Sequence, residues 1–221
     1  MINKDNYFRI LEKTQLAKAN LVAVSKTKPT EDIMTLYELG QRIFGENRVQ
    51  ELVLKHQNLP KDIEWHLIGS LQRNKVKHIA EFVTLIHSVD SRKLLVEINK
   101  QAAKNNRVIN CLLQFHIADE ATKSGLTLEE AFDLLESDVY KEMKNVKIVG
   151  VMGMGTFTNN MKQVRSECIK LRAYFKEIKN NFFVGNHFFK EISMGMSGDF
   201  EIALEEDSTM VRIGSLLFGT R

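Results

Sequence analysis

Lys26 lies within Val24-Ser25-Lys26-Thr27-Lys28-Pro29, at the far end of the apolar run Leu21-Val22-Ala23-Val24. The run reads as a buried strand. Pro29 and Thr30 mark a helix start directly after it, with Glu31 and Asp32 where a first turn favours negative charge. A lysine at the carboxyl end of a strand occupies the place where α/β folds keep their chemistry, and its amine is a nucleophile toward carbonyls. A solvated loop lysine is the competing reading for any one of 31 Lys+Arg residues. Two distant segments weigh against it, although their glycine and serine content also suits plain structural turns. Ser193-Met194-Gly195-Met196-Ser197-Gly198-Asp199 and Val211-Arg212-Ile213-Gly214-Ser215 are strand ends rich in glycine and serine. Glycines let a backbone approach an anion closely, and serine hydroxyls add donors. Arg212 alternates with Val211 and Ile213, so one face of that strand carries a charge that must find a partner.

Other polar positions carry less. Asn47 closes Phe44-Gly45-Glu46-Asn47 and is placed to hydrogen-bond a ligand, whereas Glu46 suits pairing with a base. His66, inside Trp65-His66-Leu67-Ile68-Gly69, fits a hydrogen-bonded interior histidine better than a ligand or base. His116 and His187 have no acidic or cysteine partner at triad or metal spacing. Met152-Gly153-Met154 suggests a methionine wall against a flat ligand. Lys123, in Asp119-Glu120-Ala121-Thr122-Lys123-Ser124-Gly125, reads as an exposed loop lysine beside two acids.

Short apolar runs alternate with amphipathic segments throughout. Strands are expected at 21–25, 42–45, 64–69, 85–89, 109–117, 147–152, 191–194 and 210–218. Thr127-Leu128-Glu129-Glu130 is a capping box. Met161, Val164, Cys168, Leu171, Phe175 and Ile178 form one helix face, and helices are also expected near 5–19 and at 200–205. Eight strands with helices in the gaps indicate an α/β fold, a single (β/α)₈ TIM-type barrel over 1–221 with an extra N-terminal helix. An open doubly wound sheet is the alternative. The length of 221 residues, 43% hydrophobic and 27% charged, suits one barrel. A net charge of +3, without a basic block, excludes nucleic acid as the expected partner. No segment reads as a signal peptide or membrane span, so a cytoplasmic location is expected. Cys111 and Cys168 read as inert core thiols, and no metal set is present. No exposed helix face is apolar enough to demand a partner, which points to a monomer.

An amine on the first strand, an anion cradle on the last two and a buried arginine define a ligand with an aldehyde at one end and a phosphate at the other. Pyridoxal 5'-phosphate (PLP) has both, together with a ring nitrogen for Arg212 to face. The segments VSKTKP (24–29), FGENRVQE (44–51), EWHLIGSLQRNK (64–75), ATKSG (121–125), SMGMSGDF (193–200) and STMVRIGSLLFGTR (208–221) together resemble the pyridoxal-phosphate homeostasis protein family. The resemblance implies a barrel like the N-terminal domain of bacterial alanine racemase and a Schiff base on Lys26. It further implies Arg212 opposite the pyridine nitrogen, phosphate contacts from Ser197, Gly214 and Ser215, and Asn47 near the ring. It also points to Lys123 as a second, transfer amine. The chain departs from the family's usual pattern at Arg48, often tyrosine, and ends at Arg221 where many relatives carry a lysine-containing tail.

A racemase needs a base on each face of its substrate. In the racemases that this barrel resembles, one base is a tyrosine from an additional domain, which the 221 residues have no room to form. A cation at the ring nitrogen also makes the cofactor a poorer electron sink. The expected function is therefore intracellular PLP homeostasis: binding, buffering or delivering the cofactor to apo PLP-dependent enzymes, without strong catalysis. A weak PLP-dependent amino-acid racemase is the alternative, and a phosphosugar enzyme using the same cradle is a third class.

Overall fold

Eight parallel strands close on themselves in sequence order in the computed structural model, which describes residues 2–118 and 125–219. They are β1 (Asn20–Val24), β2 (Ile43–Glu46), β3 (Glu64–Leu67), β4 (Leu85–Val89), β5 (Ile109–Phe115), β6 (Val146–Gly153), β7 (Glu191–Ser193) and β8 (Met210–Ile213). Closure is made by β1 against β8, where Ala23 pairs with Ile213, and the same Ala23 pairs with Phe44 on the other side. The open-sheet alternative is thereby set aside.

Period-two alternation divides each strand between two cores. Val22, Leu85, Leu112, Val149, Met152 and Met210 fill the barrel interior. Alternate residues such as Leu21, Phe44, Trp65, Ile86, Cys111 and Ile148 face the helical layer. Cys111 and Cys168 are both buried and free, and burial pushes both thiols up, Cys168 to about 12. They stay protonated and inert.

The helices are α1 (Lys4–Leu16), α2 (Thr30–Glu38), α3 (Val49–Asn58), α4 (Arg92–Lys104), α5 (Leu128–Glu136), α6 (Asp138–Lys141), α7 (Met161–Phe182), α8 (Phe200–Glu205) and α9 (Ser215–Phe218). The capping box of α5 forms as its sequence requires, with Thr127 and Glu130 bonding each other's backbone N–H. Helix α1 starts at the Asn3 cap and is tied to α9 by Asn6 Nδ2 donating to the Leu216 carbonyl at 3.1 Å. Two expectations need correction. After β3 the connection is a 3₁₀ helix, Arg73–His78, in place of an α-helix. Strand β8 stops at Ile213, and Ser215–Phe218 turns into α9. A four-residue apolar helix has the same short hydrophobic signature as a strand end, so periodicity does not separate them.

Candidate functional site

The turn that carries Lys26 is built from beneath. Alternation at the end of β1 leaves Ser25 outward and Lys26 on the mouth side. Ser25 Oγ donates to Glu46 Oε1 at 2.6 Å, and Lys55 Nζ donates both to that oxygen at 2.6 Å and to the Ser25 carbonyl at 2.8 Å. Glu46 is fully buried, and burial raises its carboxyl above the usual range despite the opposing pull of Lys55. Thr27 then takes φ 63°, a left-handed conformation disfavoured for a β-branched residue, and its N–H donates to Glu51 Oε2 at 2.7 Å. A turn held this way in a strained conformation has a fixed side-chain direction on either side. Lys28 Nζ donates to the Phe218 carbonyl at 2.9 Å and so is tied to the end of α9. Lys26 is the lysine of this turn that lines the central cavity without being engaged so.

That cavity, ≈ 620 Å³, opens at the carboxyl ends of the strands, a size suited to a small cofactor. Lys26, Asn47, Ser197, Arg212, Gly214 and Ser215, the six site residues expected from the sequence, all line it. Lys123 lies outside the described residues. Ser197 Oγ accepts from the Gly214 N–H at 3.3 Å, joining the β7 loop to the start of α9. The first turn of α9 leaves the N–H groups of Ser215 and Leu216 without helical acceptors. Asp199 also lines the cavity, and its carboxylate accepts from the Met196 N–H at 2.5 Å. The six-residue α8 therefore begins behind an acid, whereas Ser197, Gly214 and Ser215 line the cavity outside that helix. Asn47 is seated by a close approach: a Cβ at Gly69 would lie 2.4 Å from the Asn47 carbonyl oxygen. Of the methionine wall, Met154 lines the cavity with Met196, while Met152 belongs to the barrel interior.

Arg212 is 5% exposed, and its partners are neutral. Nη1 donates to Ser193 Oγ at 2.6 Å and Nη2 to the Gly153 carbonyl at 3.0 Å. No carboxylate forms an ion pair with it among the described residues. Burial lowers its pKa to about 10, which leaves the guanidinium charged at neutral pH. Two of its five N–H donors are thus used, and a buried cation with donors to spare suits a neutral lone pair in the cavity.

His66 is an interior histidine, as its setting in the sequence implies. Its Nδ1 lies 3.0 Å from His87 Nε2, and His87 Nδ1 lies 2.9 Å from Ser193 Oγ. His87 and Ser193, neither singled out from the sequence as Arg212 partners, complete a polar line through the barrel. The inward phase of β4 and β7 is the signal that could have found them. Among the described residues no group of three His, Cys, Asp or Glu is placed to hold a metal, and no helix is long and apolar enough to cross a membrane.

Comparison with known proteins gives a consistent picture. The family described as the alanine racemase N-terminal domain matches residues 4–221. A pyridoxal phosphate homeostasis protein of Aquifex aeolicus is 42% identical over 223 residues, covering 96% of each chain. One from Helicobacter pylori is 39% identical over 200 residues, covering 90% of this chain and 86% of the relative. The structure of PipY from Synechococcus elongatus PCC7942 with PLP bound superposes with a TM-score of 0.82 at 32% identity, covering 91% of this chain and 93% of that one. A diaminopimelate decarboxylase structure shares the barrel, with a TM-score of 0.74, at 16% identity and over 58% of that chain's length.

Proposed function

The chain belongs to the pyridoxal phosphate homeostasis protein family, on the alanine racemase N-terminal domain fold, and from that premise we propose that it is a cytoplasmic, monomeric carrier that binds PLP and buffers or delivers it without strong catalysis. The carrying observation is that Lys26 and the buried Arg212, which forms no ion pair among the described residues, open on one cavity with Ser197, Gly214 and Ser215. The residues fit the cofactor. When bound, PLP supplies a reactive aldehyde and an electron-withdrawing ring. Lys26 would hold the aldehyde covalently and reversibly, Ser197, Gly214 and Ser215 would bind the phosphate, and Asn47 would contact the ring. Arg212 has donors only, so it accepts no ring proton. It would donate to the lone pair of the ring nitrogen and so disfavour its protonation, which would weaken carbanion chemistry at this site.

The exposed large apolar side chains among the described residues are spread over several elements, at most two to a helix, as with Phe8 and Leu16 on α1 and Met161 and Ile169 on α7, which supports the monomer. Delivery requires a competing amine, and Lys123 is the candidate that the family resemblance supplies.

The test combines trapping and transfer. Borohydride reduction of PLP-loaded protein should place the added mass on the Lys26 peptide, and Lys26→Ala should lose both that mass and the visible absorbance while staying folded. Equal labelling of Lys28 would overturn the assignment. Loaded protein should then restore an apo PLP enzyme in the presence of an aldehyde trap, more slowly in Lys123→Ala. Loss of restoration with the trap would reduce the protein to a passive buffer. Amino-acid turnover at about 1 per second or faster would favour the racemase reading instead.

A further inference from the structure

A second cavity, ≈ 490 Å³, lies at the opposite mouth of the barrel, lined by the first residues of several strands and by His66. The buried line Arg212–Ser193–His87–His66 therefore joins the two mouths. Its hydrogens have a determined direction. Arg212 has only donors, so Ser193 Oγ accepts from it. Ser193 is fully buried, and among the described residues its hydroxyl has one other partner, His87 Nδ1. Were that nitrogen protonated, the hydroxyl hydrogen would be buried without an acceptor. His87 Nδ1 is thus the acceptor and Nε2 carries the hydrogen. By the same step His66 Nδ1 accepts from His87, and His66 Nε2 carries the hydrogen at the lower cavity.

We propose that these four residues form one directional hydrogen-bond chain in which Ser193, His87 and His66 are positioning residues that hold the Arg212 guanidinium at the upper cavity. Geometry supports it twice over: each link is 2.6–3.0 Å, and the chain residues are buried, at 5% exposure or less. Both histidines must be neutral for the chain to exist, since an imidazolium has no acceptor nitrogen. The surroundings favour this. Burial drives His66 down to about 3, and burial with His66 and Arg212 nearby holds His87 well below its ordinary value. The other charged or titratable groups around His66 are Glu64, Lys147, His187, Lys190 and Glu191 at the lower cavity.

Only the second arm of the test rests on the PLP reading. In the first, long-range ¹H–¹⁵N correlation spectra of the protein without added cofactor should show His66 and His87 as Nε2–H tautomers that do not titrate between about pH 5 and 8. An Nδ1–H tautomer at either residue, or titration in that range, would overturn the chain. In the second, Ser193→Ala and His87→Phe should expose the Arg212 side-chain N–H groups to faster exchange, weaken PLP binding by about tenfold and shift its visible band. Folded variants with unchanged exchange and an unchanged band would refute the positioning role. If the variants do not fold, the tautomers of the unmodified protein still decide. Correct tautomers with no PLP band in the unmodified protein would sink the cofactor reading and leave the chain standing.

Discussion

At the scale of single residues, the site rests on two buried cations handled differently. Lys55 is neutralised: it meets the Glu46 carboxylate in a pair whose side chains are 9% and 0% exposed. Arg212 has hydroxyl and carbonyl partners instead, so its charge remains for a ligand. Lys55→Met should cost about 3 kcal/mol in urea denaturation, because it leaves Glu46 buried without its counter-ion and the Ser25 carbonyl without its donor. A destabilisation below about 1 kcal/mol would show that Glu46 protonates readily and that the pair matters little. Arg212→Glu should change the visible spectrum of bound PLP, since a carboxylate there lets the ring nitrogen keep a proton. An unaltered spectrum in a folded, PLP-binding variant would place Arg212 away from the ring.

At the scale of elements, the mouth is shaped by how tightly loops return to the barrel. Gly195, after β7, has φ 91°, and a Cβ there would lie 2.5 Å from Ala203 Cβ on α8. Its carbonyl also accepts from the Arg212 N–H at 2.9 Å, so the loop's path and the β8 register are joined. Gly195→Ala should lower stability by about 2–4 kcal/mol, from left-handed strain plus overpacking. Gly198→Ala, three residues on with nothing within 4 Å of its Cβ position, should stay within about 0.5 kcal/mol of the parent. Thermal unfolding of the two variants side by side checks the contrast, and equal effects would count against it.

At the scale of the whole molecule, the buried histidines set the response to acid. Both have native pKa values below the ordinary 6.5, so the unfolded chain binds protons that the native state refuses. Stability should therefore be insensitive to these groups above that value and fall as pH drops below it, by up to about 1.4 kcal/mol per pH unit for each histidine. Glu46 acts in the opposite sense. Its native carboxyl is raised from 4.5, so its contribution weakens as pH rises through the interval above that value. Two interior histidines against one carboxyl leave a net acid lability, to be read from denaturation midpoints across pH. His56 and Asp62, both held below their ordinary values, add to it in the same sense. A profile that stays flat below the histidine range would contradict neutral interior histidines.

Much of this was legible in the amino-acid order because it depends on near neighbours. The run 21–24 and Pro29 place Lys26 between a strand and a helix, Thr127 and Glu130 cap their own helix, and the alternation around Arg212 puts a charge on one strand face. Those features also brought the ligand chemistry into view, because an amine, an anion cradle and an inward guanidinium suit one class of cofactor. The terminal turn Ser215–Phe218 escaped, since four apolar residues suit strand and helix alike. Closure of the barrel decided the rest. It brings residues 66, 87, 193 and 212 within hydrogen-bond reach although they are far apart in the chain, and it sets Lys55 of α3 beneath the turn that follows β1. Partner choice among buried polar groups follows strand order and register, which arise only when all eight strands are paired; local periodicity carries no record of them.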